Sequence, residues 1–465
     1  MIRHIFRLGL LVGLSLLCSP LVSGQNTSVK PSKYQPRDTA AFYTSLRQIR
    51  KQALETAGAD LPAPHRDAYF SRTDHIIRGV EADGFLFDST LTTHLTTIMT
   101  TLIDSNGIDL TPTILVSRSP VINAYSLGNG MFNIYNGLLR GVKTNDHLAF
   151  VLAHELAHDQ LEHYQRTVAK IPTEVVQIDD YRKHYKQQRK AFRKRLRSEG
   201  RERIMNEYKQ AAYRKGAFSR QKELEADSLA LLYLAKTDYD LQGGIRGLSY
   251  FDETPPFDVE IDELTRHLST AKQPLKENWL RARKDKPEAT DAKQANAAAW
   301  NQDSLSSHPD LALRLAKLEF DTTYQEPTPP VNLHGFRQLS IQETLLSYQK
   351  MEYPAHTILL SIRYLEDEPG YEDFYYGIIL DAMMTGYLAK EARQLAEKVP
   401  PAYFFGAPGS KALCRLFYRT NATQFGTYLR SLVEEKVAAY PDSVYLNQVA
   451  DRINYYFSGA GRGRQ

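Results

Sequence analysis

The stretch His154-Glu155-Leu156-Ala157-His158, flanked by Leu148, Phe150, Val151, Leu152 and Leu161, constrains this chain more than any other feature. On a helix, residues four apart share a face, so both imidazoles can reach one metal ion. The apolar flanks ask that helix to lie in a core. Glu155 follows the first imidazole. There its carboxylate can accept a proton from a water that zinc has made acidic, as that water attacks a peptide carbonyl. With 13 histidines in the chain, the motif alone is only suggestive. An amphipathic helix bearing two surface histidines would read the same way.

A catalytic zinc needs a third protein ligand and an open coordination position. Glu223-Leu224-Glu225-Ala226-Asp227 begins 65 residues after His158. A second helix crossing the first could present Glu223 to the ion. Asp227 falls one turn later on the same face, where it could accept a hydrogen bond from a ligand histidine and orient it. An acidic helix start is ordinary by itself, because carboxylates favour helix N-termini. The two elements together are far more specific. His163 lies five residues beyond His158, off the metal-facing stripe, and reads as a packing or ligand-orienting residue rather than a ligand. Asp159 reads as solvent-facing.

Around these elements the chain divides in order. Residues 1–24 have the layout of a secretory signal: Arg3, His4 and Arg7, then the apolar run Leu8 to Leu17, then Val22-Ser23-Gly24. That run is about half the length of a spanning helix. The expectation is an exported protein, periplasmic or secreted, with an N-terminal membrane anchor as the alternative. Residues 25–37 read as a flexible leader and 38–325 as the metal-binding domain. In that domain, helices precede Asn106-Gly107, a C-cap signal, and three strand-like runs follow at Thr113–Val116, Ile122–Ser126 and Met131–Tyr135. A helix is expected from Asn145 or Asp146 to about Val168, and another from Ser219 to about Ala235. Residues 181–222 form a basic helical insertion and 252–307 a lid or linker. Prolines 327, 329 and 330 break the chain, and 332–465 reads as an all-α domain, compatible with helical repeats but without a clear repeat consensus. The fold class expected is α+β: a mainly helical metallopeptidase domain with a small antiparallel sheet, then the all-α domain.

The motifs then reach a family. Val151 to His158 with His163 resembles the zinc metallopeptidase family of CAAX prenyl protease, HtpX and the periplasmic BepA. Glu223-x-x-Ala226-Asp227 is similar to that family's third-ligand motif. Asn123-Ala124-Tyr125-Ser126 with Gly128 and Gly130 resembles the strand and glycine turn before its metal helix. Ser307-His308-Pro309 with Arg314 and Leu318 resembles its His-Pro motif. The resemblance spans about residues 110–320. It implies a gluzincin-type fold, one zinc ion on His154, His158 and Glu223, and Glu155 as general base. It also implies that Asn123, Ala124, Tyr125 and Ser126 hold substrate as an added β-strand. By the same resemblance, His308 can approach the zinc and restrain activity, against the plainer reading of a helix cap. The chain lacks the multiple membrane spans of some relatives, and its basic insertion is longer than theirs.

Charge and cysteine content narrow the partners. A formal net charge of +4 over 465 residues favours no particular partner, and an exported protein excludes nucleic acid. The basic insertion reads as a solvated helix face or as a peripheral contact with anionic lipid or an acidic partner. Cys18 and Cys414 are the only cysteines, so the mature chain would hold no internal disulfide. The function expected is a zinc endopeptidase acting on unfolded or misassembled envelope proteins. The alternative is an envelope assembly factor or chaperone that binds partners through its C-terminal helices.

Overall fold

A computed structural model describes residues 39–58, 63–169, 220–248, 257–281, 311–319, 321, 323–325 and 331–459. The signal and leader, His308 and most of the basic insertion lie outside these residues. No helix among the described residues is long and apolar enough to cross a membrane.

Helices α1 (Thr39–Ala57) and α2 (Ala63–Glu81) pair and lead to α3 (Ser89–Asn106). Asp88 caps α3 by accepting a 2.8 Å bond from the Leu91 N–H, and Gly107 ends it at φ 63°. That left-handed stop is the one the Asn106-Gly107 pair predicts. Leu91, Leu95, Ile98, Met99 and Leu102 make its buried stripe.

Strands β1 (Thr113–Ser117), β2 (Ala124–Gly128) and β3 (Met131–Tyr135) form a sheet in the order β1-β3-β2. The sheet is mixed, not antiparallel throughout. β3 pairs antiparallel with β2 but parallel with β1. Strand-like runs show in a sequence; spatial order does not. The chain turns from β2 through Asn129-Gly130 and slots β3 between its two predecessors, which forces the parallel pair. Gly128, Asn129 and Gly130 all have positive φ, and a Cβ on Gly130 would come within 2.8 Å of the Thr111 carbonyl oxygen. This order leaves β2 at an edge.

After the short α4 (Asn136–Leu139) comes α5 (Asn145–Gln160), capped by Thr144, one residue earlier than expected. Twelve of its residues are buried, from His147 to Asp159. It therefore runs through the core, between α3, the sheet and α8 (Leu241–Arg246). α5 does not continue to Val168. Glu162 takes φ 50° and starts a separate α6 (His163–Val168). No glycine or proline marks this break in the sequence. α7, described over 220–234, lies against α5 through Ala230 and Leu234.

The remainder is all-α: α9 (Ile261–Leu268), α10 (Glu277–Leu280), α11 (Leu311–Lys317), α12 (Val331–Lys350), α13 (Pro354–Asp367), α14 (Glu372–Glu391), α15 (Leu395–Lys398), α16 (Pro408–Arg419), α17 (Ala422–Ala439) and α18 (Val444–Phe457). Within the stretch expected as a lid or linker, residues 257–281 are folded instead. Val259, Leu264, Leu268 and Trp279 are buried among α13, α14, α16, α17 and α18. The Tyr428 hydroxyl donates to the Leu268 carbonyl at 2.6 Å. Four large apolar residues anchor a segment whose average composition is polar. α12 reaches back to the sheet: Asn136 donates to the Ser340 carbonyl at 2.9 Å, and buried Arg118 pairs with Glu343.

Candidate metal centre

The buried α5 and the N-terminal part of α7 bring three expected ligands together. His154 Nε2 and His158 Nε2 are 3.0 Å apart, and Glu223 oxygens lie 3.4 and 3.6 Å from them. Two zinc ligands at about 2.0–2.1 Å in a tetrahedron are about 3.3 Å apart. Two neutral-capable imidazoles and one carboxylate, with one Glu223 oxygen near each ring, thus converge at about the spacing of a tetrahedral site, a donor set that fits zinc. Glu155, on the same helix beside His154, is 4% exposed.

Each imidazole is held from behind. His154 Nδ1 lies 3.0 Å from Asp227 Oδ1, somewhat off the straight line of a hydrogen bond. Asp227 is in turn gripped by Arg314 of α11 through two bonds, Nε to Oδ2 at 2.7 Å and Nη2 to Oδ1 at 2.6 Å. His158 has a different support. Its Nδ1 meets His163 Nδ1 at 2.8 Å, and His163 Nε2 meets Glu225 Oε2 at 3.1 Å. If His158 offers Nε2 to a metal, its Nδ1 carries the proton and donates to His163. His163 must then carry its own proton on Nε2 and donate to Glu225. Arg166 Nη1 closes the chain on Glu225 at 3.1 Å. The break at Glu162 swings His163 back beneath His158, and the continuous helix expected from sequence could not do so.

Replacing His163 by Ala should weaken zinc binding about 10–100-fold, the usual effect of removing a ligand's supporting partner. His163→Asn, whose Oδ1 can take the place of Nδ1 and accept from His158 but whose amide is too short to reach Glu225, should recover part of it. Competition titration with a chromogenic chelator reads both; equal affinity for the wild type and His163→Ala would exclude the support.

The electrostatics favour one positive charge in the site. Burial opposes charge on His154, but the carboxylates of Asp227 and Glu223 outweigh it, and its pKa is pushed up to about 10. Burial, then the neighbouring His154, pushes His158 down to about 3. Burial also works against the Asp227 carboxylate, yet Arg314 and His154 hold it below the usual range.

Asp159 is buried, not solvent-facing. It accepts from Ser126 Oγ at 3.1 Å and from the Gly130 N–H at 3.4 Å, fastening the β2–β3 turn to α5. Of the expected substrate strand, Asn123 directs its carbonyl to β3, accepting from the Tyr135 N–H at 3.0 Å. Strand alternation then aims the backbone groups of Tyr125 at β3 as well, and those of Ala124 and Ser126 at the free edge. The Tyr125 ring packs edge-on against Tyr135.

Sequence reading did not single out Glu225 or Arg72 as parts of this region. Glu225 sits within the motif already marked for Glu223, and nothing in the local sequence marks Arg72, which comes from α2. No curated protein matches the chain. The model of peptidase family M48 matches residues 89–321, a stretch that contains the sheet, α5, α7 and α11. With half the chain matched and the two imidazoles, the carboxylate and their supports assembled inside the matched stretch, the chain belongs to peptidase family M48, the zinc-dependent metallopeptidases.

Proposed function

We propose that this chain is a zinc endopeptidase that cleaves unfolded or misassembled proteins of the cell envelope after export. The observation that carries the reading is the convergence of His154, His158 and Glu223 with Glu155 buried beside them on the same helix. A structural zinc is closed by four protein ligands and has no use for a base, whereas a catalytic one keeps three and an open position.

His154, His158 and Glu223 would hold the ion. When bound, zinc supplies a Lewis acid that works at neutral pH. Glu155 takes the proton of the attacking water and returns it to the leaving amine. Ala124, at the edge of β2, offers its outward N–H and C=O to an extended polypeptide, so that backbone pairing holds an unfolded chain whatever its side chains. This suits substrates that have lost their own structure. Export is supported by the basic start and apolar run of residues 1–24. The C-terminal helices and the basic insertion are the surfaces proposed for an envelope assembly partner and for peripheral membrane contact. His308 is proposed to restrain the zinc.

The test combines metal analysis of the purified protein with mass-spectrometric mapping of peptides released from unfolded casein. About one zinc per chain, with release abolished by a chelator, is the expected result. Protein that carries no transition metal under any condition would remove the assignment. The pH dependence follows from His154, because zinc must displace the proton that its raised pKa of about 10 retains. Zinc affinity should therefore fall as the pH is lowered, by up to about tenfold per unit wherever His154 holds that proton, read by the same chelator competition.

A further inference from the structure

The edge of β2 is not open along its whole length. Of the two residues that turn their backbone groups outward, Ala124 keeps its outward N–H and C=O unpaired among the described residues, but Ser126 does not. Arg72 of α2 donates from Nη2 to the Ser126 carbonyl at 2.6 Å, where the N–H of an added strand would have to sit. Its guanidinium lies 3.4 Å above the ring of Tyr164 in α6, a cation–π stack that fixes the side chain in place. Beyond Ser126 the pairing slips at a bulge before Gly128, so the regular edge ends there in any case.

The helix that carries Arg72 is firmly seated. Leu46 of α1 with Ile76 and Val80 of α2 share one apolar cluster with Leu115, Leu127 and Met131 of the sheet. Both helices precede residue 89, where the match to the family begins. The block on the edge is therefore supplied by a part of this chain that lies outside the matched peptidase region.

We propose that Arg72 is a specificity-determining residue: by occupying the Ser126 carbonyl it ends the peptide-binding edge at Ala124. An extended substrate pairs with Ala124 and can run on past the start of the strand on one side, while on the other it leaves the strand at Arg72. On that side the enzyme reads a short stretch of backbone, so added length there brings no affinity. This inference rests on the proposed peptidase function and on β2 as the strand that receives substrate.

The experiment uses the full chain with zinc and a nested set of unstructured peptides around one mapped cleavage site, lengthened one residue at a time at either end. For the wild type, KM should stop improving early at one end while the other end continues to matter. Arg72→Met keeps the packing over Tyr164 but has no hydrogen-bond donor. It should lower KM about three- to tenfold only for peptides long enough to reach Ser126, with kcat unchanged, as expected for one recovered rung of backbone bonds. A merely structural role for Arg72 would shift all peptides alike. Wild type that gains affinity equally from both ends would overturn the inference without any variant. So would turnover by Arg72→Met with the wild-type dependence on length. Absence of turnover by the wild type would overturn the proposed function itself, and this inference with it.

Discussion

Replacing Glu155 by Gln should lower the rate of peptide-bond hydrolysis by about 100- to 10,000-fold while leaving zinc in place. The substitution keeps the size of the side chain and removes its ability to accept a proton. Glu155 is 4% exposed on α5, a helix buried on nearly every side, so the amide should be accommodated without moving His154 or His158. It is not one of the three converging donors, which is why metal content should not follow activity. Initial rates on unfolded casein, beside zinc content from the same preparation, give the comparison. If the Glu155→Gln variant cleaved at the wild-type rate, Glu155 would not be the base. A related experiment separates catalysis from assembly. Should wild type and variant rescue an envelope defect equally, the C-terminal helices rather than the peptidase centre would carry the biological role.

The parts of this centre that were legible in the sequence are those carried by local spacing. His154 and His158 are four apart on a helix, and Glu223 and Asp227 are four apart on another; the periodicity alone puts each pair on one face. That the two pairs meet came from the need of zinc for a third ligand and from the family resemblance, and the 3.0–3.6 Å donor separations agree with it. The parts that were not legible depend on backbone events that leave no compositional trace. Glu162 adopts a left-handed conformation usually given to glycine, and only that turn lets His163 reach beneath His158. Asp159 reads as solvent-facing because the sequence does not say that the Gly130 turn folds over it. β3 reads as a strand in the sequence, but its position between β1 and β2 is a choice of topology, and with it the edge status of β2. The charged and proline-rich neighbours of residues 257–281 hide their few apolar positions in the sequence, yet Leu264, Leu268 and Trp279 are enough to pin them to the C-terminal core.

Asp227→Ala should be the most damaging single change to the support of the site, costing about 3–5 kcal/mol in stability and about 10–100-fold in zinc affinity. The two effects share one cause. The carboxylate joins a ligand to a distant helix: one side faces His154 Nδ1 at 3.0 Å, and both oxygens accept from Arg314, which is 4% exposed. Alanine removes the carboxylate to which two guanidinium nitrogens of buried Arg314 donate, and leaves His154 without its support at Nδ1. Asp227→Asn distinguishes the two contributions, because it keeps an acceptor for His154 but loses the charge opposite Arg314. It should retain more of the zinc affinity than of the stability. The pH dependence carries the same signature. Arg314 and His154 hold the Asp227 carboxyl below its usual range despite burial. A depressed carboxyl contributes stability that is fully present above its unfolded pKa of about 3.9, and loses it as pH falls through the folded value. Acid unfolding of the wild type should therefore steepen below about pH 4, and Asp227→Asn should lack that component. Denaturant melts at pH 7 and pH 3, with zinc removed from both proteins, isolate the ion pair from the metal. If the Asp227→Asn variant lost as much stability between those two pH values as the wild type, the Asp227–Arg314 pair would not be what ties α11 to the metal helices.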